Sequence, residues 1–404
     1  MSEWVTQKIS EVYEGLYDGP HATPPDSEDG AVFLGISNIT PEGRLDFGDI
    51  KHISEHNLPK WTKRVEPRGG DIVFSYEATL NLYAIIPEGF WGCLGRRMAL
   101  IRPNNSKAYG RFLYYYFFSP QWRSTVQENT VIGATVDRIP LVRFPDFPIS
   151  IPDLQTQHRI ADILSAYDAL IENNQRQIKL LEEAAQRLYK EWFVDLRYPG
   201  HEDAPVVDGV PEGWIACVLD DVIEFNPKIS LNKDRVKQCV PMAALSTQSM
   251  ILNSGEFTET TSTSGSKFQN GDTLLARITP CLENGKTGFV AGLDSDEGAV
   301  GSTEFIVMRS KRLNPYMVYL LARTDDFRKT AINSMTGSDG RQRAQPGKIR
   351  AYPFLLPPDS IIDSFGDIVK PIFDTIQKRN QQNAQLSEAR DRLLPKLMSG
   401  KIAV

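Results

Sequence analysis

The 404-residue chain has only four cysteines, Cys93, Cys217, Cys239 and Cys281, and no two are close enough to form a CxxC pair. That spacing argues against a disulfide framework or a structural zinc site and suits a reducing compartment. Histidine is sparse too. His21, His52, His56, His158 and His201 include no HExxH, and the His52/His56 pair has no third ligand at metal-binding spacing. Residues 282–288 contain GKT, but a phosphate-binding loop needs glycine where Pro280 stands. No GxGxxG occurs, and no nucleophile triad, nuclease carboxylate pair or cofactor pocket is legible, so no catalytic, cofactor-binding or metal residue is assigned. No apolar run approaches the roughly 18 residues of a membrane span. The nearest, residues 112–118, reads as buried helix. The opening MSEWVTQKISEV lacks an apolar targeting core, so a cytoplasmic protein without membrane contact is expected. A net charge of −6 argues against indiscriminate coating of nucleic acid, but recognition depends on the field at one face.

Glycine and proline are also missing from one long stretch, residues 155–193. There Ile160, Leu164, Tyr167, Ile171, Asn174, Ile178, Leu181, Ala185, Leu188 and Trp192 recur at spacings of three and four, the a/d pattern of a coiled coil. Glu172/Arg176 and Glu183/Arg187 are i,i+4 pairs that support its solvent face. At 1.5 Å per residue such a rod is roughly 55 to 60 Å long, and its apolar stripe requires a partner helix. Residues 361–398 supply the candidate. Phe365, Val369, Ile372, Ile376, Asn383, Leu386, Leu393 and Leu397 keep a similar spacing, although Arg379 and Arg390 interrupt it and Pro371 and Pro395 predict a bend.

The halves preceding these helices repeat as well. Trp4 answers Trp214, GGDIVFSY at 69–76 answers NGDTLLAR at 270–277, and FLYYYFFSPQWR at 112–123 answers MVYLLARTDDFR at 317–328. The chain therefore divides into a globular unit at 1–152, a first helix at 153–198, a linker at 199–213 rich in Pro, Gly and acid, a second globular unit at 214–356 and a second helix at 357–404. The expected fold class is α+β. Two similar mixed α/β domains are separated by a long antiparallel two-helix coiled coil, with an internal pseudo-two-fold repeat.

Basic residues gather in three places. Lys60, Lys63, Arg64 and Arg68 surround Trp61; Arg96 and Arg97 lie near Arg102; and Arg341, Arg343, Lys348 and Arg350 occupy the loop 337–350. They are candidates for phosphate and base contacts, as are Tyr76 and Arg277 at equivalent strand ends. Solvated surface charge is the competing reading, since Glu55 and Glu66 dilute the first group and Arg277 could be a structural arginine. A DNA-reading adaptor with two half-site readers fits the duplication. A coiled-coil scaffold for protein partners, without sequence-specific DNA recognition, fits the helices alone; apolar rather than basic outer faces would favour it.

The duplicated order FLGISNIT, GGDIVFSY, IPDLQTQHRIADIL and DALIENNQRQIKLLEEAAQRL, with its divergent second copy, resembles the specificity subunits of type I restriction-modification systems over essentially the whole chain. The second helix entry, PPDSIIDSFGDI, departs further from that family's pattern. The resemblance implies a non-catalytic, sequence-specific subunit that reads a bipartite asymmetric site in double-stranded DNA. It also implies two adenine methyltransferase subunits and up to two motor-nuclease subunits as partners, so that DNA methylation and ATP-dependent restriction belong to the complex. S-adenosylmethionine and ATP with magnesium then belong to those partners, and no cofactor to this chain.

Overall fold

The computed structural model describes residues 3–133, 135–294, 297–338 and 340–404. The start of the first expected unit, residues 1–2, and Asp339 of the basic loop lie outside the described residues, as do Ala134, Ser295 and Asp296. The chain forms two compact units, residues 1–170 with 385–404, and residues 171–384. Each globular part is thus grouped with a segment of both long helices, whereas the sequence reading set the helices apart.

In the first unit a four-stranded sheet runs in the order Tyr13–Asp18, Met98–Pro103, Ile72–Ser75, Tyr83–Ile85. All its neighbours are antiparallel. A second sheet places Ala31–Leu34 between antiparallel Lys51–Ile53 and parallel Gly92–Leu94. Val5–Lys8 pairs with Pro148–Ile151 just ahead of the first long helix. Residues 112–118 fall in and just beyond the helix Gly110–Tyr116, and Phe112 to Phe117 are all buried.

The second unit repeats this topology with one strand added. Its four-stranded sheet is Ile223–Phe225, Phe305–Ser310, Thr273–Ala276, Thr287–Phe289. Its other sheet keeps the same central three strands and adds Ser266–Phe268 at the edge. Ile215–Val218 pairs with Pro353–Leu356 before the second long helix.

One buried ion pair recurs in both sheets. Arg102 donates from Nε and Nη2 to Asp71 at 2.9 and 2.8 Å, and Arg309 does the same to Asp272 at 2.8 and 2.7 Å. Each carboxylate also accepts a backbone N–H, from Arg68 at 2.9 Å and Gln269 at 2.8 Å, across a turn whose Gly70 and Gly271 have φ of 86° and 91°. A side chain there would be strained, which explains the glycine before each aspartate. Arg102 is therefore withdrawn from the basic group that the sequence placed beside Arg96 and Arg97. Its guanidinium is held by the buried Asp71 carboxylate and satisfied there.

The first long helix runs Leu154–Tyr189, continued by a π turn at Lys190–Val194. Asp153 caps it, accepting from the Thr156 N–H at 3.0 Å and the Thr156 hydroxyl at 2.9 Å. The second runs Asp359–Met398, starting two residues before the expected position. Pro371 does not break it: the proline is exposed, and the carbonyl one turn back, which loses its N–H partner, belongs to the exposed Asp367.

Within the first unit, Ile160 and Leu164 share a core with Leu394, Leu397 and Met398, with Leu393 partly buried against it. Arg390, which interrupts the apolar pattern, donates to Asp168 at 2.6 Å, and Asp168 also accepts from the Tyr115 hydroxyl. Within the second unit, Ile178, Ala185, Tyr189 and Trp192 pack in one core with Phe365, Val369, Phe373 and Ile376, and Leu181 and Leu188 are partly buried against it. Asn174 Nδ2 donates to Asn383 Oδ1 at 2.9 Å, and Tyr189 meets Phe365 at 6.1 Å between ring centroids. Contacts thus descend one helix as they climb the other. Ile171 is buried and Leu386 half-buried.

The segment 199–213 is not the featureless linker its composition implied. Val206–Val207 pairs with Val210–Pro211 across a turn in which Asp208 and Gly209 have φ of 51° and 79°. This is the Asp-Gly hairpin geometry, and the flanking Tyr198 and Trp214 are buried with ring centroids 5.3 Å apart.

Candidate nucleic-acid interface

The two strand-end residues occupy the same backbone position in their respective units. Tyr76 N–H donates to Arg97 O at 3.1 Å, and Tyr76 O accepts from Ile139 N–H at 2.7 Å; Arg277 N–H donates to Glu304 O at 3.0 Å, and Arg277 O accepts from Ala344 N–H at 2.8 Å. Each is held by a neighbouring strand's leading loop on one side and by the loop before the long helix on the other. The side chains differ, so one scaffold presents two chemistries.

In the first unit the Tyr76 hydroxyl is buried without a hydrogen-bond partner among the described residues. Burial, then the nearby Asp18 and Glu77 carboxylates, raises its pKa, while Arg64 and Arg97 oppose the shift. Arg64 pairs with Asp18, and Arg97 lies 3.9 Å from Glu77 with a left-handed backbone, φ 66°. The fold therefore brings Arg64, Tyr76 and Arg97 together, with two acids that the sequence reading did not associate with them. Lys60 Nζ sits 4.9 Å from the Trp61 ring centroid, and Lys63 and Arg96 are exposed.

In the second unit two arginines converge on Glu304. Arg343 donates from Nε and Nη2 to its carboxylate at 3.0 and 2.7 Å, and Arg277 Nε approaches to 3.5 Å. Arg341 and Lys348 are exposed and stand outside this cluster. Arg343 is thus tied down rather than projecting freely from its loop. Arg350 likewise turns inward, over the Phe225 ring at 5.7 Å.

The Arg343 hydrogen bonds hold the Glu304 carboxyl below its ordinary value of 4.5, aided by the charges of Arg343 and Arg277. A depressed carboxyl contributes stability that is present above the unfolded-state pKa and lost as pH falls through the folded value. Glu304→Gln should therefore be less stable than the parent by a constant margin above about pH 5, and the margin should shrink below it. Urea unfolding at a series of pH values checks this; a margin that grows towards acid pH would refute the assignment.

Comparison with known proteins finds one family. Residues 1–183 match the family model described as type I restriction modification DNA specificity domain. The type I restriction enzyme MjaIX specificity subunit of Methanocaldococcus jannaschii is 22% identical over 386 residues, covering 91% of this chain and 86% of that relative. Residues 1–183 therefore carry a type I restriction-modification DNA specificity domain, and the chain is similar along most of its length to specificity subunits.

The EcoEI specificity subunit of Escherichia coli is 33% identical over 160 residues, but that stretch spans only 37% of this chain and 26% of the relative. The crystal structure of the type I restriction-modification S subunit from M. genitalium covers 98% of this chain and 96% of its own at a TM-score of 0.54 and 14% identity, a likeness of fold. Specificity subunits are non-catalytic, and their general role is recognition of the DNA target within a type I complex. Among the described residues no His, Cys, Asp and Glu group is placed to hold a metal, and no helix is long and apolar enough to cross a membrane.

Proposed function

We propose that the two globular parts each read one half of a bipartite, asymmetric DNA target, and that the paired long helices act as an antiparallel coiled-coil spacer with pseudo-two-fold related ends. The observation that carries this reading is the repeated strand-end position, identical in backbone bonding but occupied by Tyr76 in one unit and Arg277 in the other. Two equivalent readers with different side chains suit two different half-sites. Lys60, Lys63, Arg64, Arg96 and Arg97 in the first part, and Arg341, Arg343 and Lys348 in the second, complete the proposed contact set. Phosphate contacts by these cations position the duplex, and a bidentate base contact discriminates by roughly 1 to 3 kcal/mol. The helix ends serve as docking places for two methyltransferase subunits, which in turn recruit up to two motor-nuclease subunits. S-adenosylmethionine and ATP are bound by those partners and not by this chain. Location in the cytoplasm, with the DNA, follows from that role.

Replacing residues 3–151 or 214–356 by the corresponding segment of a relative tests the division. Methylation mapping of the assembled complex should show a change in one half-site only, a different one for each exchange. Simultaneous change of both half-sites, or of neither, would refute it. Separately, calorimetry on the isolated chain should detect no stoichiometric binding of S-adenosylmethionine or ATP; either would overturn the adaptor reading.

A further inference from the structure

Beside Arg277 the second unit forms an open cavity of about 380 Å³, whose polar lining is Asn226, Lys228, Ser266, Lys267, Arg277 and Thr303. Almost everything polar that faces it is a donor. Asn226 Oδ1 already accepts the Val307 N–H at 2.9 Å, which leaves its amide NH2 to donate. Lys267 Nζ gives one hydrogen to Ile229 O at 3.2 Å and keeps two. Lys228 is exposed at the rim. Arg277 Nε is shut off from solvent and makes no hydrogen bond among the described residues, the Glu304 carboxylate standing 3.5 Å away. No lining residue is a carboxylate. The adjoining Glu304 is shared between Arg343 and Arg277, so it cancels only one of the four positive charges that Arg277, Arg343, Lys228 and Lys267 bring to the site.

The corresponding place in the first unit is built differently. By sheet register Tyr17, Asp18 and Gly19 stand there for Asn226, Pro227 and Lys228. Arg64 donates to Gly19 O at 3.4 Å and pairs with Asp18, so a protein carboxylate already supplies the anion. The second unit retains the cations without that carboxylate.

We propose that this cavity seats one backbone phosphate of the DNA bound by the second unit. Lys228 and Lys267 are its charged ligands, and the Asn226 amide and the Thr303 hydroxyl its neutral donors, since the Ser266 hydroxyl already donates to Phe305 O at 3.2 Å. This rests on the DNA-reading role proposed above. A site made of donors around a net positive charge matches an oxyanion. Most base edges mix donors with acceptors and are poorly matched; the guanine major-groove edge, with two acceptors, is the exception that the test must separate.

The test uses the full chain assembled with its partner subunits and titrates DNA over a range of salt concentrations. Lys228→Gln should weaken binding by the same factor on cognate duplex, on duplex with a scrambled second half-site and on unrelated duplex. It should also flatten the plot of log affinity against log salt by about one unit. The methylated sequence should not change. A single neutral methylphosphonate, walked along the second half-site, should reveal one position that weakens the parent complex and has no further effect on Lys228→Gln. Because the parent complex alone yields the first half of that result, a misfolded variant cannot mimic it. Loss confined to cognate duplex with an unchanged salt slope would mean base reading and overturn the seat, as would a Lys228→Gln complex that behaves like the parent. Saturable binding of inorganic phosphate without DNA, abolished in Lys228→Gln, would reassign the cavity to a free anion. Failure of the underlying reading looks different: exchange of residues 214–356 would then leave both half-sites unaltered.

Discussion

Replacing Asp272 by alanine should lower the stability of the second unit by about 3 to 5 kcal/mol, because it leaves the Arg309 guanidinium without its counter-charge in the sheet. The aspartate is 1% exposed and accepts two arginine bonds and one backbone N–H, so little solvent is available to replace them. Hydrogen exchange should report the loss locally. Amides in the sheet containing Thr273–Ala276 and Phe305–Ser310 should lose protection, while those of Ile72–Ser75 and Met98–Pro103 in the first unit should not. Asp71→Ala should give the mirror result. Joint replacement, Asp272→Leu with Arg309→Met, should recover most of the stability, since a neutral pair of similar volume carries no unpaired charge. A loss below about 1 kcal/mol in Asp272→Ala would place the pair among exposed salt bridges of little consequence and refute the argument.

The second large effect concerns the helices. Removing residues 174–177 together with 380–383 deletes a matched slab, bounded by the Asn174/Asn383 contact, from both helices at once. Each helix shortens by about 6 Å and, since four residues exceed one turn, what lies beyond it rotates by roughly 40°. The expected result in the assembled complex is loss of binding to the natural target, with each half-site's base preference retained and a different optimal gap between the half-sites. Selection from a library of duplexes with varied gaps, followed by methylation mapping, measures it. An unaltered gap would sink the spacer role; altered base preference would show that the helices shape the readers themselves.

Much of this fold was legible because its periodicities are long. The three-and-four spacing over residues 155–193 needs only a buried stripe, and the duplicated strand motifs need only comparison of one half with the other. The buried ion pairs were legible too, but by a signal that was passed over. Arginine stands fifth in both MALIRP and FIVMRS, and aspartate opens both DIVFS and DTLLA. Reading Arg102 by its charge neighbours Arg96 and Arg97 hid that alternation along the strand sends it to a different place. Asp208-Gly209 was a plain hairpin signal obscured by the acidic, Pro-rich segment around it. Arg390 read as a flaw in an apolar stripe because its partner, Asp168, is 222 residues away. The phosphate cavity had no linear trace at all: Lys228, Ser266, Arg277 and Thr303 come from four separate segments that only the sheet packing brings together.

The Asn174/Asn383 amide pair has one more consequence, for measurement rather than for strength. An apolar seam is nearly periodic, so two such helices could settle one heptad out of step at modest cost, and a gauge that can slip gives two readings. Sliding by seven residues would bring the buried Asn174 amide opposite Ile376 or Arg390. Against the apolar Ile376 it would lack a matching amide, at about 1 to 3 kcal/mol. The other slip would pull Arg390 from Asp168. The two polar contacts act as graduation marks at different heights, and they coincide at a single setting. For the proposed spacer role this means one register of the two helices, with the settings one heptad away disfavoured.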